Sequence, residues 1–555
     1  MIERFKKAYL WMEISPKDYI LTRILPVFLF TAVMIISIMI LSPTLLHDWL
    51  YYLLFVGIPV FVCIYTILHP LIIYERLGKS IDEDMHLFVT RLGVLSVAYV
   101  TRKEIFDILG EMKEYRALAR EVKKVYDLMS KWNIALQKAC RLVAEMTPSV
   151  LFSDFLTRMA HAIETGESAE KFAENEQKAT MEEFVVKYRA RLNAVDIMNE
   201  VFTSFAIVII FIFVFVFILP FLVGESAFLL LAGASLLFVL GEVFFLYFFA
   251  TIVPGEHIWQ TSGIQTGREK RLNRIFSYSV LGVVLMVFPC AVLYVLWAVP
   301  LYVLVPIVFS PLAITGYLAD KEEAIIVRRD ENFPSFIRSL GSSAGAMGKE
   351  TTYALKKLRQ YRFGPLTKNI DDLYKRLNLR INKNYSWKLF GIESGSDLIS
   401  KFNALYVEGT HIGGNPKTIS QIISDNFLII LGLRKQKYQV SATTSGILYG
   451  LTVGITFPLY ISLYLSYWIQ KLMNSVAPPE EYPFLNILHG TVFNTFWLTI
   501  ISIFVVSLHS FLSAYMLKIL KGSHPYVMLK HFCIMMWLSG VTAWVSIYMM
   551  QMLLP

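Results

Sequence analysis

What most limits the fold of this chain is a series of apolar runs, each long enough to cross a bilayer. A hydrocarbon core asks for roughly 20 consecutive apolar residues per helical span. Runs of that kind fall at about 24 to 42, 49 to 73, 201 to 223, 227 to 253, 277 to 299, 300 to 318, 441 to 469, 491 to 517 and 531 to 554. They predict nine spans and an all-α, polytopic membrane protein. Composition agrees, because 55% of the 555 residues are hydrophobic, more than ordinary soluble domains carry. The division least marked in the sequence is 277 to 318, 42 residues without a charge. One helix of that length would overrun the membrane, so the run is split near Pro300.

The first 23 residues include Glu3, Arg4, Lys6, Lys7, Glu13, Lys17, Asp18 and Arg23. That mixture is unlike the short basic region of a secretory signal, and the N-terminus is expected to be retained. Cys63, Cys290 and Cys533 fall in predicted spans and Cys140 in a polar segment, with no CxxC pairing. A disulfide or zinc framework is therefore unsupported, and small buried apolar roles are expected. With a cytoplasmic N-terminus, the short inside segments carry 12 Lys and Arg: five in 1 to 23, four in 254 to 276 and three in 518 to 530. Outside there is one, Lys471. This bias favours the orientation with the C-terminus outside, and it favours the split at Pro300. The glycosylation triplet Asn384-Tyr385-Ser386 is then cytoplasmic.

Two long polar segments interrupt the spans. The division is 1 to 73 (N-terminal segment and hairpin), 74 to 200 (first helical domain), 201 to 318 (four spans with the basic loop 254 to 276), 319 to 440 (second helical domain) and 441 to 555 (three spans). In both domains apolar residues recur at three and four, as on amphipathic helices, and strand alternation is missing. The last helix of the first, from about Met181, runs without a breaker into the third span. The domains also resemble each other. Ser153 to Gly166 reads SDFLTRMAHAIETG and Ser396 to Gly409 reads SDLISKFNALYVEG, each closed by a Gly. Phe88, Leu92 and Gly93 match Phe336, Leu340 and Gly341 at an offset of 248, and Tyr115-Arg116 match Tyr361-Arg362 at 246. Each copy leads into a span containing a proline, Pro220 or Pro458. An internal duplication explains the common order.

Charge separates the copies. Residues 74 to 200 hold 19 Lys and Arg against 21 Asp and Glu, whereas 319 to 440 hold 20 against 12, net +8. Nearly all of the chain's +9 thus sits in the second copy, which suits an acidic partner: a protein, lipid headgroups or nucleic acid. Catalytic patterns fail. The run from Gly341 to Glu350 has Ser343 where a phosphate loop needs its first Gly, and Lys349 is followed by Glu350 rather than Ser or Thr. A small-residue helix face is the expectation there. His524 and His531 bracket a loop without a third metal ligand, and no GxSxG elbow occurs. No enzyme, cofactor or metal is expected. Glu242 is the one acid inside a predicted span and so a functional candidate; its bland reading is a neutral or partnered carboxyl near the cytoplasmic end. Beside it the spans carry little more than His69 and His509, fewer embedded charges than a secondary transporter would offer.

The paired domains, seen in LFVTRLG with SDFLTRMAHAIETG and in FIRSLG with SDLISKFNALYVEGTHIGGNP, resemble those of a family. It is the polytopic platform proteins of type IV pilus and type II secretion machines, and within it the archaellum (archaeal flagellum) branch. Bacterial members look shorter, with fewer spans, so nine spans and an N-terminal hairpin favour the archaeal branch. The resemblance implies a membrane platform that docks a cytoplasmic hexameric ATPase and couples it to assembly of filament subunits (archaellins) and to rotation. It also implies lipid contacts, a homodimer or similar low-order assembly, and no nucleic acid. On this reading Lys349, Lys356, Lys357, Arg359, Arg362, Lys375, Arg376, Arg380 and Lys383 would dock the ATPase, with Arg268, Lys270, Arg271 and Arg274 nearby. The alternatives are an adhesive-pilus platform and, from another class, a secondary transporter.

Overall fold

The computed structural model describes residues 5, 7–9, 15–29, 31, 49–98, 101–112, 115–223, 227–346, 351–475 and 495–554. Among them every regular element is helical, and one isolated bridge joins Trp259 to Ser396. After a short N-terminal helical piece the helices are α1 (Trp49–Ser96), α2 (Arg102–Gly110), α3 (Arg116–Ser130), α4 (Leu136–Met146), α5 (Val150–Glu164) and α6 (Ala169–Val223). Next come α7 (Ala227–Ile252), α8 (Gly267–Trp297), α9 (Leu301–Phe309), α10 (Pro311–Ala346), α11 (Thr351–Leu358), α12 (Thr367–Asn378) and α13 (Lys383–Ser394). The last are α14 (Asp397–His411), α15 (Pro416–Ser475), α16 (Thr495–Lys521) and α17 (Val527–Leu553). By length and composition six helices among the described residues can cross a membrane, and the bent pair α9–α10 makes a seventh. Of the nine expected spans, 24 to 42 lies largely outside the described residues, and 49 to 73 is the first half of α1.

The split near Pro300 is present. Helix α8 stops at Trp297, Ala298 adopts a left-handed conformation (φ 52°), and Pro300 caps α9. The chain then returns along α8, where Ser279 and Thr315 hydroxyls lie 2.7 Å apart. The expected single span over 300 to 318 is instead bent by 44° between α9 and α10. Pro311 has no N–H to continue the helix, and Ser310 turns its hydroxyl back to the Pro306 carbonyl.

Residues 1–184 with 409–415 form one compact unit, and 185–408 with 416–555 form another. In the first, α1 buries Ile81, Met85, Phe88, Leu92 and Leu95, spaced by three and four along one stripe. Phe88 meets Tyr115, Phe152 and Phe155 edge-on at its centre. Helix α2 starts on a Thr101–Glu104 capping box and α5 on the Ser149 hydroxyl, which satisfy backbone donors that a helix start leaves free.

In the second unit α10 buries Ala319, Glu323, Ile326, Asp330, Phe333, Ile337, Leu340 and Ala344 along a comparable stripe. Its domain core joins Phe336 to Phe363 and Phe390, Phe333 to Phe427, and Trp387 to Tyr406. The same unit holds an apolar bundle built from α6, α7, α15, α16 and α17, with Phe213, Phe217, Phe238, Leu459, Val505 and Ala543 among its buried residues.

The two domains share one plan. Four short helices, α2 to α5 or α11 to α14, lie between a long helix of 48 or 36 residues and a longer one of 55 or 60 residues. The Ser-Asp stretches are helical in both, and the matched pairs Phe155/Leu398, Leu156/Ile399, Met159/Phe402, Ala160/Asn403 and Ala162/Leu405 are all buried. Two sequence expectations shift. Tyr361 is exposed, and it is Phe363 that packs edge-on against Phe336 as Tyr115 packs against Phe88, so the offset of 248 persists to that point. Gly166 ends its helix with φ 73°, whereas Gly409 lies inside α14 and the left-handed residue there is Gly413.

Candidate functional site

A dense polar cluster lies where the long helices of the second unit leave their apolar segments. Its geometry begins with α15, whose buried stripe runs Ile419, Ile423, Ile430, Arg434, Lys437, Ser441, Thr444 and Leu448. Arg434 and Lys437 therefore face inward, and so do Glu323 and Asp330 on α10. Charges so placed require partners, because an unpaired ion costs several kcal/mol away from water.

A strap between α7 and α8 supplies many of them. Arg434 reaches Glu256 of the strap at 3.2 Å and Asp330 at 3.3 Å, and it donates to the His257 carbonyl at 3.1 Å. The Lys437 ammonium donates to the Pro254 carbonyl at 2.9 Å, and the Tyr188 hydroxyl to Glu256 at 3.3 Å. Farther along, the Gln260 amide donates to the Gly395 carbonyl and the Asp397 amide to the Ile258 carbonyl, flanking the Trp259–Ser396 bridge. The Thr261 hydroxyl donates to the Asp397 carboxylate at 2.8 Å.

Glu323 closes the cluster. It accepts from the Trp259 indole at 3.3 Å, the Ser523 hydroxyl at 2.9 Å and the His524 amide at 3.3 Å, and it pairs with Lys521 at 2.7 Å. Gly522 permits the approach: its φ is 74°, and a Cβ there would stand 2.3 Å from the Glu256 carbonyl oxygen. Burial holds the His257 and His524 imidazoles below their ordinary range, which disfavours a further positive charge in the cluster. Strap, α10, α15 and the α16–α17 turn are thus fastened at one level, with Ser396 and Asp397 of the motif stretch in the same network.

The sequence expectation for a basic docking face is altered in detail. Lys349 lies outside the described residues. Lys356, Lys357, Arg362, Arg380 and Lys383 are exposed on or beside α11, α12 and α13, and none forms an ion pair among the described residues. Lys357 lies over the Tyr353 ring at 5.9 Å. Arg359, Lys375 and Arg376 instead pair within the domain, with Asp371, Asp372 and Glu393. On α8, Lys270, Arg271 and Arg274 are exposed, while Arg268 is half-buried and stands 3.9 Å from Glu322. Three of the basic residues counted toward the +8, Arg329, Arg434 and Lys437, are buried. Three of the acids, Glu323, Asp330 and Asp397, are buried as well, so the net +8 stays on the surface while the number of exposed cations falls.

Sequence reasoning missed the buried cluster because Arg434 and Lys437 sit in a run, RKQK, that reads as solvated. The available signal was periodicity: the three-and-four stripe of α15 continues through both, and that of α10 through Glu323 and Asp330. Glu242 is partnered, by His509, but lies ten residues from the end of α7 rather than near it. Gly341 and Ala344 do form a close-packing face, since a Cβ on Gly341 would stand 1.9 Å from the Ser420 hydroxyl of α15. The four cysteines are free and buried. Among the described residues no His, Cys, Asp and Glu cluster could hold a metal ion.

Comparison with known proteins gives this geometry a family. The model of the type II secretion system protein F family matches residues 88–217, the core of the first domain and the span that follows it. A protein named flagella accessory protein J from Methanocaldococcus jannaschii is 34% identical over 547 residues, covering 96% of this chain and 95% of its own length. A second of that name, from Methanococcus voltae, is 32% identical over 544 residues, with 96% of each chain covered. No solved structure matches. A likeness that covers 96% of the chain, together with the secretion F match over the first domain, leaves one assignment: the chain belongs to the flagella accessory protein J family.

Proposed function

We propose that this chain is the cell-membrane platform of a type IV pilus-like filament machine, the archaellum motor, and that it couples a cytoplasmic hexameric ATPase to filament assembly and rotation. The observation that carries the reading is end-to-end likeness to two proteins named flagella accessory protein J. Mechanical continuity supports the coupling. Helix α15 is continuous over 60 residues, from the core of the second domain into its apolar segment, where Pro458 lies inside it, and the strap ties it to α10 and α7. A displacement imposed on that domain would reach the bundle along a helix, with no loop between them.

In this reading the N-terminus and both helical domains are cytoplasmic and the C-terminus is outside. The basic start of α8 and the Lys521–Lys530 turn lie on the side of the bundle that carries the second domain, as cytoplasmic short loops should. Lys356, Lys357, Arg362, Arg380 and Lys383 dock an acidic face of the ATPase, filament subunits enter beside the spans, and the platform works as a homodimer among lipids. Deletion of the gene should abolish swimming and leave surface attachment intact. Lost attachment with normal swimming would assign the platform to an adhesive pilus instead.

A further inference from the structure

We propose that Glu242 and His509 form an intramembrane proton-binding site that fastens α7 to α16 and α15. Both side chains are buried in the bundle, ten residues from the end of α7 and twelve from the end of α16. At the rise of an α-helix these are about 15 and 18 Å from the helix ends, and His509 is about 12 Å from Leu517, the last residue before Lys518. The Glu242 carboxyl Oε1 is hydrogen-bonded to His509 Nδ1. On the other side of the ring, Nε2 lies 3.3 Å from the Thr452 hydroxyl of α15.

The hydrogen bonds assign the protons. The Thr452 hydroxyl has one hydrogen, and its shorter contact, 2.8 Å, is to the Leu448 carbonyl. It therefore accepts from His509, and Nε2 carries a hydrogen. Nδ1 and a carboxylate oxygen are both acceptors unless a proton lies between them. One proton thus sits on that line, and the pair is neutral overall whether it is written as acid with imidazole or as carboxylate with imidazolium. Removing it would leave a bare carboxylate whose second oxygen, Oε2, has no hydrogen-bond partner, in a segment where ions are expensive.

Little nearby could replace the proton's charge. Phe238 of α7 lies 5.7 Å from the His509 ring, and Phe205 of α6 stacks on Phe238. Helix α16 itself adds the Ser510 and Ser513 hydroxyls near His509. No Asp, Glu, Lys or Arg occurs in 201–223, 441–469, 495–517 or 531–554. On the neighbouring α15 and α17 the titratable pair toward the polar end is Tyr449 with His531, hydrogen-bonded to each other at 2.6 Å. The shared proton thus adds a polar tie between α7 and α16 to the apolar packing of Leu231, Phe238, Phe245 and Phe249, and α7 leads directly into the strap.

The test is thermal unfolding of the purified full chain in lipid nanodiscs at one fixed pH. Glu242→Gln, whose amide can donate to Nδ1 or accept from it, should unfold close to wild type, because it supplies the one hydrogen that the line requires. Glu242→Leu, which supplies none, should unfold at a clearly lower temperature. A Glu242→Gln variant more stable than wild type would overturn the proposal, since the amide would then have added a hydrogen that the native pair lacks; equal melting of all three chains would overturn it too. Thr452→Val guards against failure of the Glu242 variants to fold. It spares the pair but removes the acceptor of Nε2–H, and should lower the melting temperature; an unmoved value would also count against the site.

Discussion

At the scale of single residues, the chain's most consequential charges are those turned inward. Arg434 is 4% exposed between Glu256 and Asp330, and truncating one member of a buried pair typically costs about 3–5 kcal/mol because the other charge is left unpaired. Arg434→Ala should therefore lower the melting temperature of the detergent-solubilised chain sharply, and Arg434→Met with Asp330→Leu should recover much of the loss. Gly341 makes a different demand. Its absent Cβ would overlap the Ser420 hydroxyl and stand 2.4 Å from the Pro416 carbonyl oxygen, so Gly341→Ala should cost about 1–3 kcal/mol by overpacking, read in the same assay. The sequence foretold the Gly341 face because small residues cluster there. It concealed Arg434 because net charge counts a buried base and an exposed one alike.

Elements carry the duplication. Helix order, helix length and five matched buried positions repeat between the domains, and much of this was legible from spacing alone, since amphipathic stripes depend on local sequence. The misplaced anchor at Tyr361 shows the limit of that reading: identity of a residue type is weaker evidence than its place in the core, which Phe363 holds. The bend between α9 and α10 was missed because an apolar run records hydrophobicity and says little about direction. Coupling by α15 can be tested at this scale. Gln439 is exposed and lies between the buried charges and the apolar segment. Gln439→Pro removes a backbone hydrogen bond and clashes with the preceding turn, at about 3 kcal/mol or more. Membrane insertion and expression should persist while swimming is lost; normal swimming would mean that α15 need not act as a rod.

For the whole molecule, the apolar runs established the membrane class because a bilayer leaves few alternatives to long helices. Partner recognition was less legible, since it depends on which charges stay exposed after the domain has satisfied its own. The pairing of Arg359, Lys375 and Arg376 with acids of the same domain leaves Lys356, Lys357, Arg362, Arg380 and Lys383 as the exposed cations on which the docking account rests. Attraction through such a surface acts over roughly a Debye length, about 8 Å at physiological salt, and mainly speeds association. Binding carried by it should weaken as salt is raised. The most direct measurement is co-purification of the chain with the proposed ATPase partner after reversing these five residues together to Glu. The account predicts that the ATPase is lost while the variant remains folded and membrane-inserted; retention of the ATPase at the wild-type level would contradict it.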